Sequence, residues 1–341
     1  MVKILTYEQI DQQQWQTLVD QSPTATWFQT PEAYEFYTSV STELLPFALG
    51  IEEDGHLTGV IVGYTTQEKS PIKQLFTCRS IIIGGPLLAN DISDEALSAL
   101  LTSLTKLPSL QGGGGGRLTP IYIESRNFHD YSKWRNIFEA NGYAYQPHLN
   151  FHVDASSPEV VDQNLGKSRK RDIRTTIRDG VTPVYQPTIE QVRAYYDILL
   201  DLYKTKVKTP LFRWEWFEQL YRCPDARFIL TELEGKIVGG TVCMELKGKA
   251  LYEWFACGID GVYPHIYPST YATYLGIKYA AENGCKIFDM MGAGKPEEAY
   301  GVRDFKAKFG GELVEHGRFL CVRKPLLYKL GKLGVKLLKK R

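Results

Sequence analysis

The chain has 341 residues, of which 43% are apolar and 23% charged, so its composition excludes a disordered protein and suits about two globular domains. The net charge is only +1, but residues 323–341 carry eight Lys and Arg and no acid, which leaves residues 1–322 at −7. The six cysteines form no CxxC pair, and no apolar run reaches membrane-spanning length. We therefore expect free thiols in a reducing compartment, with no secretion signal and no transmembrane helix.

The first half of the chain predicts helices on both sides of an antiparallel hairpin. Apolar spacing and capping residues predict a short helix from Pro31 and longer helices over residues 6–21, 91–104 and 130–141. The predicted strands cover residues 45–52, 57–64, 73–83, 121–124 and 143–153. Five consecutive glycines, residues 112–116, precede a strand. Because a phosphate-binding loop needs a helix after its glycines, we interpret this run as a flexible surface loop.

The second half repeats the alternation and begins with an unusually basic helix. The predicted helices cover residues 165–179, 189–204, 214–221 and 267–283. The predicted strands cover residues 181–186, 227–233, 236–246, 249–257, 286–289 and 311–322. We expect a first domain over residues 1–155, a second over residues 156–322, and a basic amphipathic tail over residues 323–341.

Two predicted hairpins resemble each other and indicate an internal repeat. Residues 47–59 and 228–239 both place a turn glycine, Gly55 or Gly235, between two strands, and a second glycine four residues later. Helices, an antiparallel hairpin, and then strand, helix and strand form an order that resembles the GNAT acyltransferase fold. The predicted fold class is therefore α/β (α+β). It has two tandem GNAT-like domains with mixed, mostly antiparallel sheets, followed by a C-terminal basic helix.

Several common kinds of catalytic site have no counterpart in the sequence. His148 and His152 are four residues apart, but their segment is predicted to be extended, so we expect no metal site. No nucleophile elbow or Cys/His pair predicts a covalent intermediate. A CoA enzyme of this fold needs free backbone N–H groups where residues 258–271 carry large side chains and prolines. We therefore expect no cofactor, and no CoA site of the usual kind.

The most specific motif is YGVRDFKAKFGG over residues 300–311, which follows a strand with Asp289 and the glycines Gly292 and Gly294. Here the chain resembles the Fem-type aminoacyltransferases, whose last domain carries a Phe-Lys-x-x-Phe-Gly-Gly element. Residues 84–86, 165–181 and 267–281 resemble the same family more weakly. The resemblance implies transfer of an amino acid from aminoacyl-tRNA to an amine of a peptidoglycan precursor. The implied location is the cytoplasm.

The resemblance also implies roles for individual residues. Lys306 is expected to supply positive charge to the oxyanion or to the terminal tRNA phosphate, and Asp289 to accept a proton from the attacking amine. Phe305 completes the predicted catalytic set. The predicted substrate- or phosphate-binding residues are Arg169, Lys170, Arg171, Arg174, Tyr271, Tyr300 and Arg303. The alternatives are a surface lysine, an aspartate that caps a loop, and a solvated helix face paired with its own acids.

The tail predicts a basic amphipathic helix. Leu326, Leu330, Leu333 and Leu337 fall on one stripe and the lysines on another arc, which favours contact with an anionic membrane surface through residues 323–341. The protein would then be peripheral on the inner face of the plasma membrane. The alternative for the tail is a frayed terminus. For the whole chain, two other functions remain open: an N-acyltransferase that uses acyl-CoA or acyl-carrier protein on a glycan, lipid or amino acid, and a non-catalytic duplicate that binds tRNA or membrane.

Overall fold

The computed structural model describes residues 1–42, 44–68, 70–106, 110–111 and 117–338. Its strands are β1 (Val2–Thr6), β2 (Leu44–Glu53), β3 (His56–Thr66), β4 (Ser80–Gly84), β5 (Leu87–Leu88), β6 (Leu110–Gln111), β7 (Arg117–Leu118), β8 (Tyr122–Asn127), β9 (Ala144–Gln146), β10 (Leu149–Asp154), β11 (Thr182–Val184), β12 (Ala226–Leu233), β13 (Lys236–Leu246), β14 (Ala250–Gly258), β15 (Ile287–Gly292), β16 (Glu312–Glu315) and β17 (Arg318–Val322). Its α-helices are α1 (Gln12–Gln21), α2 (Pro31–Ser39), α3 (Pro71–Thr77), α4 (Asp94–Thr105), α5 (Arg135–Ala140), α6 (Pro158–Asn164), α7 (Lys167–Arg178), α8 (Ile189–Leu202), α9 (Trp214–Arg222), α10 (Pro268–Glu282), α11 (Gly301–Ala307) and α12 (Pro325–Leu338).

The chain forms two compact units, and the first is not continuous in sequence. It comprises residues 1–147 together with residues 316–341. Its main sheet runs β1-β2-β3-β4-β8-β17-β9, and β5 pairs with β3. Among the described strands of this sheet, only β4 and β8 pair in parallel. The apolar face of α4 packs on this sheet, and the stacked rings of Phe138 and Phe319, 4.0 Å apart, join α5 to β17 in the same core.

The second unit, residues 148–315, contains every predicted site residue. Its sheet runs β11-β12-β13-β14-β15-β10-β16, with β14 and β15 as the parallel pair. These two strands pair only from Ala250 to Tyr252, opposite Ile287 to Asp289, although both strands continue further. Helix α10 packs on β13 and β14, and its buried residues Leu275 and Ile277 join Phe288 of β15 in the core. The helix thereby packs against β15 near the beginning of that strand.

The predicted internal repeat is present in both units. Hairpins β2–β3 and β12–β13 each turn through two residues with positive φ: Asp54 (48°) and Gly55 (88°) in the first, Glu234 (49°) and Gly235 (74°) in the second. Such turns match the twist of paired strands and favour glycine at their second position. Each hairpin also has a shift in register at the same distance from its turn. The shift lies on the turn side of the pair Ile51–Gly59 in the first hairpin and of the pair Thr231–Gly239 in the second. Together with one parallel pair in each main sheet, this confirms two GNAT-like domains and the predicted fold class.

The structure divides the chain differently from the predicted domain bounds of 155/156 and 322/323. The segment predicted as one strand over residues 311–322 is two strands, β16 in the second sheet and β17 in the first. Between them Gly317 has a φ of +64°, which a residue with a side chain rarely adopts. In the same way, residues 143–153 form β9 in the first sheet and β10 in the second. The chain therefore changes unit at 147/148 and at 315/316.

Some element predictions also require correction. The expected strand over residues 73–83 begins as helix α3 and becomes extended only at Ser80, because Pro71 suits the first turn of a helix. The expected helix over residues 6–21 is preceded by strand β1 and starts properly at Gln12, where the side chain of Asp11 caps it. The glycine run at residues 112–116 lies outside the described residues. All six cysteines are free, as expected, and five of them are buried.

Candidate active site

Helix α11 carries the Phe-Lys pair of the motif and places the lysine under the end of β15. Lys306 is only 8% exposed. Its ammonium group donates hydrogen bonds to three consecutive carbonyl oxygens, those of Met290, Met291 (3.4 Å) and Gly292 (2.9 Å). An ammonium has three N–H groups, so these carbonyls use all of them. The lysine therefore fixes the backbone where β15 leaves the sheet, and it brings a buried positive charge there.

Arg303, one helical turn before Lys306, binds the next part of the same segment. Its guanidinium group donates to the carbonyl oxygens of Ala293 (2.9 Å), Lys295 and Pro296 (3.5 Å). The remaining carbonyl, that of Gly294, accepts from the N–H of Leu149 at 2.9 Å. Every carbonyl from residue 290 to residue 296 thus has a donor. In the structure Arg303 orders the glycine-containing loop, and its binding of substrate stays a prediction.

Buried carboxyl groups balance the charge of Lys306. Burial lowers the pKa of Lys306, whereas the charges of Glu253 and Asp289 act to raise it. Burial raises the pKa of Glu253, opposed by the charge of Lys306 and by hydrogen bonds from Thr273 (2.9 Å) and Thr241 (3.2 Å). Glu253 lies on β14 just beyond its last pairing with β15. This carboxyl was not identified from the sequence, because nothing near it in the chain marks it.

Asp289 forms a pair with His152, which was not among the predicted site residues. Its carboxylate lies 3.2 Å from Nε2 of His152, directly across the antiparallel pairing of β10 and β15. Its other oxygen accepts from the N–H of Met291 at 2.6 Å, which supports the left-handed backbone of that residue (φ +58°). Burial acts to lower the pKa of His152, but the hydrogen bond and charge of Asp289 outweigh it and raise the pKa. Register alone identifies this pair, and the sequence does not give register.

Phe305 contacts the basic helix through Arg169. The guanidinium group lies over the rings of Phe305 and Phe309, at 4.5 and 5.1 Å from their centroids. It also donates to the hydroxyl of Thr270 on α10 at 3.0 Å and to the carbonyl oxygen of Phe305 at 3.4 Å. Arg169 is 7% exposed, and Asp172 lies 3.5 Å away. The structure thus places this predicted phosphate-binding arginine in the interior, where it joins α7, α10 and α11.

The other cations of α7 form an exposed face. The side chains that line a cavity on this surface are Lys167, Lys170, Arg171, Thr175, Arg174 and Arg178. Arg171 and Arg178 are paired with Asp172 (3.1 Å) and Asp179 (2.7 Å). Within the described part of the chain, Lys167 and Arg174 have no such acidic partner. Because like charges spaced by three and four residues destabilise a helix, this face is suited to a ligand with several negative charges.

Helix α10 begins where a CoA-dependent relative would bind its pyrophosphate. The first helical residue is Pro268, which has no N–H, and the N–H of Ser269 donates to the carboxylate of Asp260 at 3.2 Å. The N–H of Tyr267 donates to the hydroxyl of Thr176 at 3.0 Å. A pyrophosphate at this position would compete with a carboxylate for the N–H groups.

The two tyrosines of the predicted binding set lie in different surroundings. Tyr271 is buried in the core, and this burial raises the pKa of its phenol. Tyr300 precedes α11, is 42% exposed and covers Gly294, where a β-carbon would come within 2.9 Å of its ring. Of the two, Tyr300 is the more exposed.

Comparison with known proteins identifies one domain and the fold of this chain. Residues 167–306 match the family model described as an acetyltransferase (GNAT) domain. No curated protein sequence matches the chain. A tandem GNAT protein from the clavulanic acid biosynthesis pathway superimposes with a TM-score of 0.54 and 9% identity, covering 94% of this chain and 98% of its own. The chain therefore has a tandem GNAT fold.

Two further structures identify the type of fold more closely. The crystal structure of FemX superimposes with a TM-score of 0.71 and 16% identity, covering 96% of this chain and 99% of its own. The C-terminal domain of a putative lysylphosphatidylglycerol synthetase from Agrobacterium fabrum gives a TM-score of 0.59 and 14% identity, with 95% of both chains covered. The chain has a Fem-type GNAT-like fold, as the motif at residues 300–311 predicts.

Among the described residues, no helix combines the length and apolarity that crossing a bilayer requires. Nor do three or more His, Cys, Asp or Glu side chains in that part of the chain come together as a set of metal ligands.

Proposed function

We propose that this protein transfers an amino acid from aminoacyl-tRNA to an amine of a peptidoglycan precursor. The observation that carries the proposal is the position of α7 relative to the motif. Its exposed face presents five cations to a polyanion, while its buried Arg169 stacks on Phe305 beside Lys306. The N–H of Gly166, at the start of α7, also donates to the carbonyl oxygen of Lys308 at 3.1 Å. A nucleic acid on α7 would thus end near α11.

The reaction needs no covalent enzyme intermediate. The amine nitrogen attacks the ester carbonyl carbon, a C–N bond forms, and the bond from that carbon to the ribose oxygen breaks. One amine proton is finally carried by the ribose hydroxyl of the released tRNA. The enzyme has to orient the two substrates, handle this proton and stabilise negative charge on the carbonyl oxygen. The reaction requires nothing else of the enzyme, because the ester is already activated.

We assign Lys306 an electrostatic and positioning role in this reaction. Its N–H groups are used by the carbonyls of residues 290–292, so its charge acts on the oxyanion through the field and not by direct donation. Phe305 forms the apolar wall beside it. Asp289 and His152 act as one unit that takes the proton from the attacking amine, with the carboxylate orienting the ring.

The geometry of α10 supports charged tRNA as the donor rather than acyl-CoA. The N–H group that would bind a pyrophosphate is occupied by Asp260, whose charge repels phosphate. The expected place of action is the cytoplasm, where charged tRNA is found. For a lipid-linked acceptor the site of action is the inner face of the plasma membrane.

A donor test distinguishes the candidate functions. Purified protein is incubated with a cell-wall precursor extract and either charged tRNA or acetyl-CoA, and products are identified by mass spectrometry. An amino-acid mass that appears only with charged tRNA supports the proposal. Transfer of an acetyl group from CoA would replace it with the N-acyltransferase alternative. Binding of tRNA without any product would favour a non-catalytic duplicate.

The matched controls come from the same element. Lys306→Met removes the buried charge and keeps the length of the side chain, and Lys308→Met makes the same change at an exposed position two residues later. We expect the first variant to lose at least about 100-fold in kcat/KM, as expected for loss of a preorganised charge, and the second to stay near wild type.

A further inference from the structure

The C-terminal helix α12 is fixed to the first unit along one face. The N–H groups of Arg323 and Lys324 donate to the carbonyl oxygen of Ile121 at 2.8 and 3.0 Å. One turn into the helix, the ring of Tyr328 meets the ring of Tyr122 edge-on, 5.4 Å between centroids. These contacts determine which side of α12 points away from the unit.

The side that points away is apolar. Leu326, Leu330 and Leu333 are 79%, 58% and 58% exposed. At about 100° per residue they lie roughly 140–200° around the helix from Tyr328, opposite the anchored face. Helix α3 packs against α12 and adds two more exposed apolar side chains, Leu75 (42%) and Phe76 (51%). Exposed apolar side chains clustered in this way indicate a surface that becomes covered.

The charges beside this stripe specify what covers it. Lys329 and Lys332 are exposed on one flank, and Lys332 also lies 4.8 Å from the ring of Tyr328. Residues 323–341 contain eight cations and no acid, so two copies of the helix would repel each other. An apolar stripe flanked by lysines matches a membrane interface, with leucines among the acyl chains and ammonium groups at anionic headgroups.

We propose that α12, together with Leu75 and Phe76 of α3, binds the surface of an anionic phospholipid membrane. The helix lies in the plane of the interface and does not span it. This contact does not depend on the transfer reaction proposed above, because it is made by a helix of the first unit that contains none of the proposed catalytic residues.

Vesicle co-sedimentation of the full-length protein tests the proposal. The vesicles are pure phosphatidylcholine, or phosphatidylcholine with a quarter replaced by phosphatidylglycerol. We expect binding to the anionic vesicles only. Replacement of Leu326, Leu330 and Leu333 by Gln should weaken it by about 100-fold or more while leaving the melting temperature unchanged, since these side chains are exposed. Lys329→Gln with Lys332→Gln should weaken it by about fivefold per lysine.

The basic face of α7 supplies the matched control. Lys167→Gln with Arg174→Gln removes the same charge from the second unit and should weaken vesicle binding less than the change on α12. An equal loss in both variants would assign the binding to general positive charge and overturn the proposal. The proposal would also be overturned if the wild-type protein did not bind anionic vesicles. This holds whether the protein is a monomer or forms a dimer that the leucine substitutions dissociate.

Discussion

At the scale of single residues, the site depends on two cations of α11 that hold a run of backbone carbonyls. Arg303 and Lys306 were identified from the sequence because they lie in the motif, but their partners were not. His152 and Glu253 are far from the motif in the chain, and each reaches it only through strand pairing. A motif gives the identity of a residue, whereas its hydrogen-bond partners depend on the tertiary fold.

The buried ammonium of Lys306 should matter for stability as well as for activity. Lys306→Met removes the lysine donor from three carbonyls, one buried and two partly buried, and one unsatisfied buried group costs about 1–3 kcal/mol. We expect the free energy of unfolding to fall by roughly 2–4 kcal/mol in urea titrations. Lys308→Met, at an exposed position, should change it by less than about 0.5 kcal/mol. Equal effects of the two substitutions would contradict the assigned contacts.

The His152–Asp289 pair predicts a dependence of stability on pH. The pKa of His152 is raised in the folded state, so its stabilising contribution is complete below the ordinary value near 6.5. It is lost as the pH rises through the higher folded-state pKa. Unfolding free energies measured across this range should therefore decline for the wild type, and decline less for His152→Gln.

Two variants separate this pair from other sources of pH dependence. Asp289→Asn removes the charge that raises the pKa of His152 and should flatten the profile in the same way. His56→Gln removes an exposed histidine of the first unit and should leave the slope unchanged. A slope that survives in both His152→Gln and Asp289→Asn would show that another group is responsible.

At the scale of elements, local sequence predicts the hairpins well and the strand breaks poorly. The turn glycines Gly55 and Gly235 mark both hairpins, because two-residue turns need positive φ. Gly317 also has positive φ, but it follows His316 within a run of strand-forming residues, so the sequence indicates one strand. In the structure Gly317 lies against the ring of Tyr145, a tertiary contact that the sequence does not indicate.

Substitution of this glycine should show the cost of that contact. In Gly317→Ala the new β-carbon would overlap the ring of Tyr145, in addition to the strain of φ +64°. We expect a loss of about 2–4 kcal/mol in unfolding free energy. Gly142 has a similar φ of +81° but open space around it, so Gly142→Ala should cost only about 1 kcal/mol. Similar values for both would mean that backbone strain alone matters.

The binding of tRNA by helix α7 also belongs to the scale of elements, because it depends on a whole face of the helix and not on one side chain. Lys167→Gln with Arg174→Gln should weaken tRNA binding and reduce the slope of log affinity against log salt by about 0.7–0.9 per lost phosphate contact. Filter binding at several salt concentrations measures this. Lys236→Gln with Lys247→Gln, two exposed lysines at hairpin turns of the same unit, should leave the slope unchanged.

At the scale of the whole molecule, the sequence predicts the repeat. It does not predict that the chain returns to the first unit after it has completed the second. The alternation of apolar residues indicates that a segment is a strand, but it does not indicate which sheet that strand joins. As a result β17, which follows the second unit in the chain, lies between β8 and β9 of the first unit. The first unit therefore needs both ends of the chain.

Truncations should reveal this dependence. A chain that ends after residue 316 lacks β17, so β8 and β9 lose their shared partner and the first unit should not fold. A chain that ends after residue 323 keeps β17 and lacks only the tail, so it should melt close to the full-length protein. Circular dichroism and limited proteolysis measure both, with residues 148–315 expected to remain protected in the shorter chain.

The position of β17 also sets an order of events during translation. The ribosome completes the second unit while the first still lacks β17, an interior strand of its sheet, so the earlier-made unit finishes folding last. At about 5–20 residues per second, the interval between residues 147 and 322 is on the order of ten to thirty seconds. During this time the edges of β8 and β9 that pair with β17 are unpaired and open to non-native pairing. We therefore expect the nascent N-terminal half to be a substrate of chaperones.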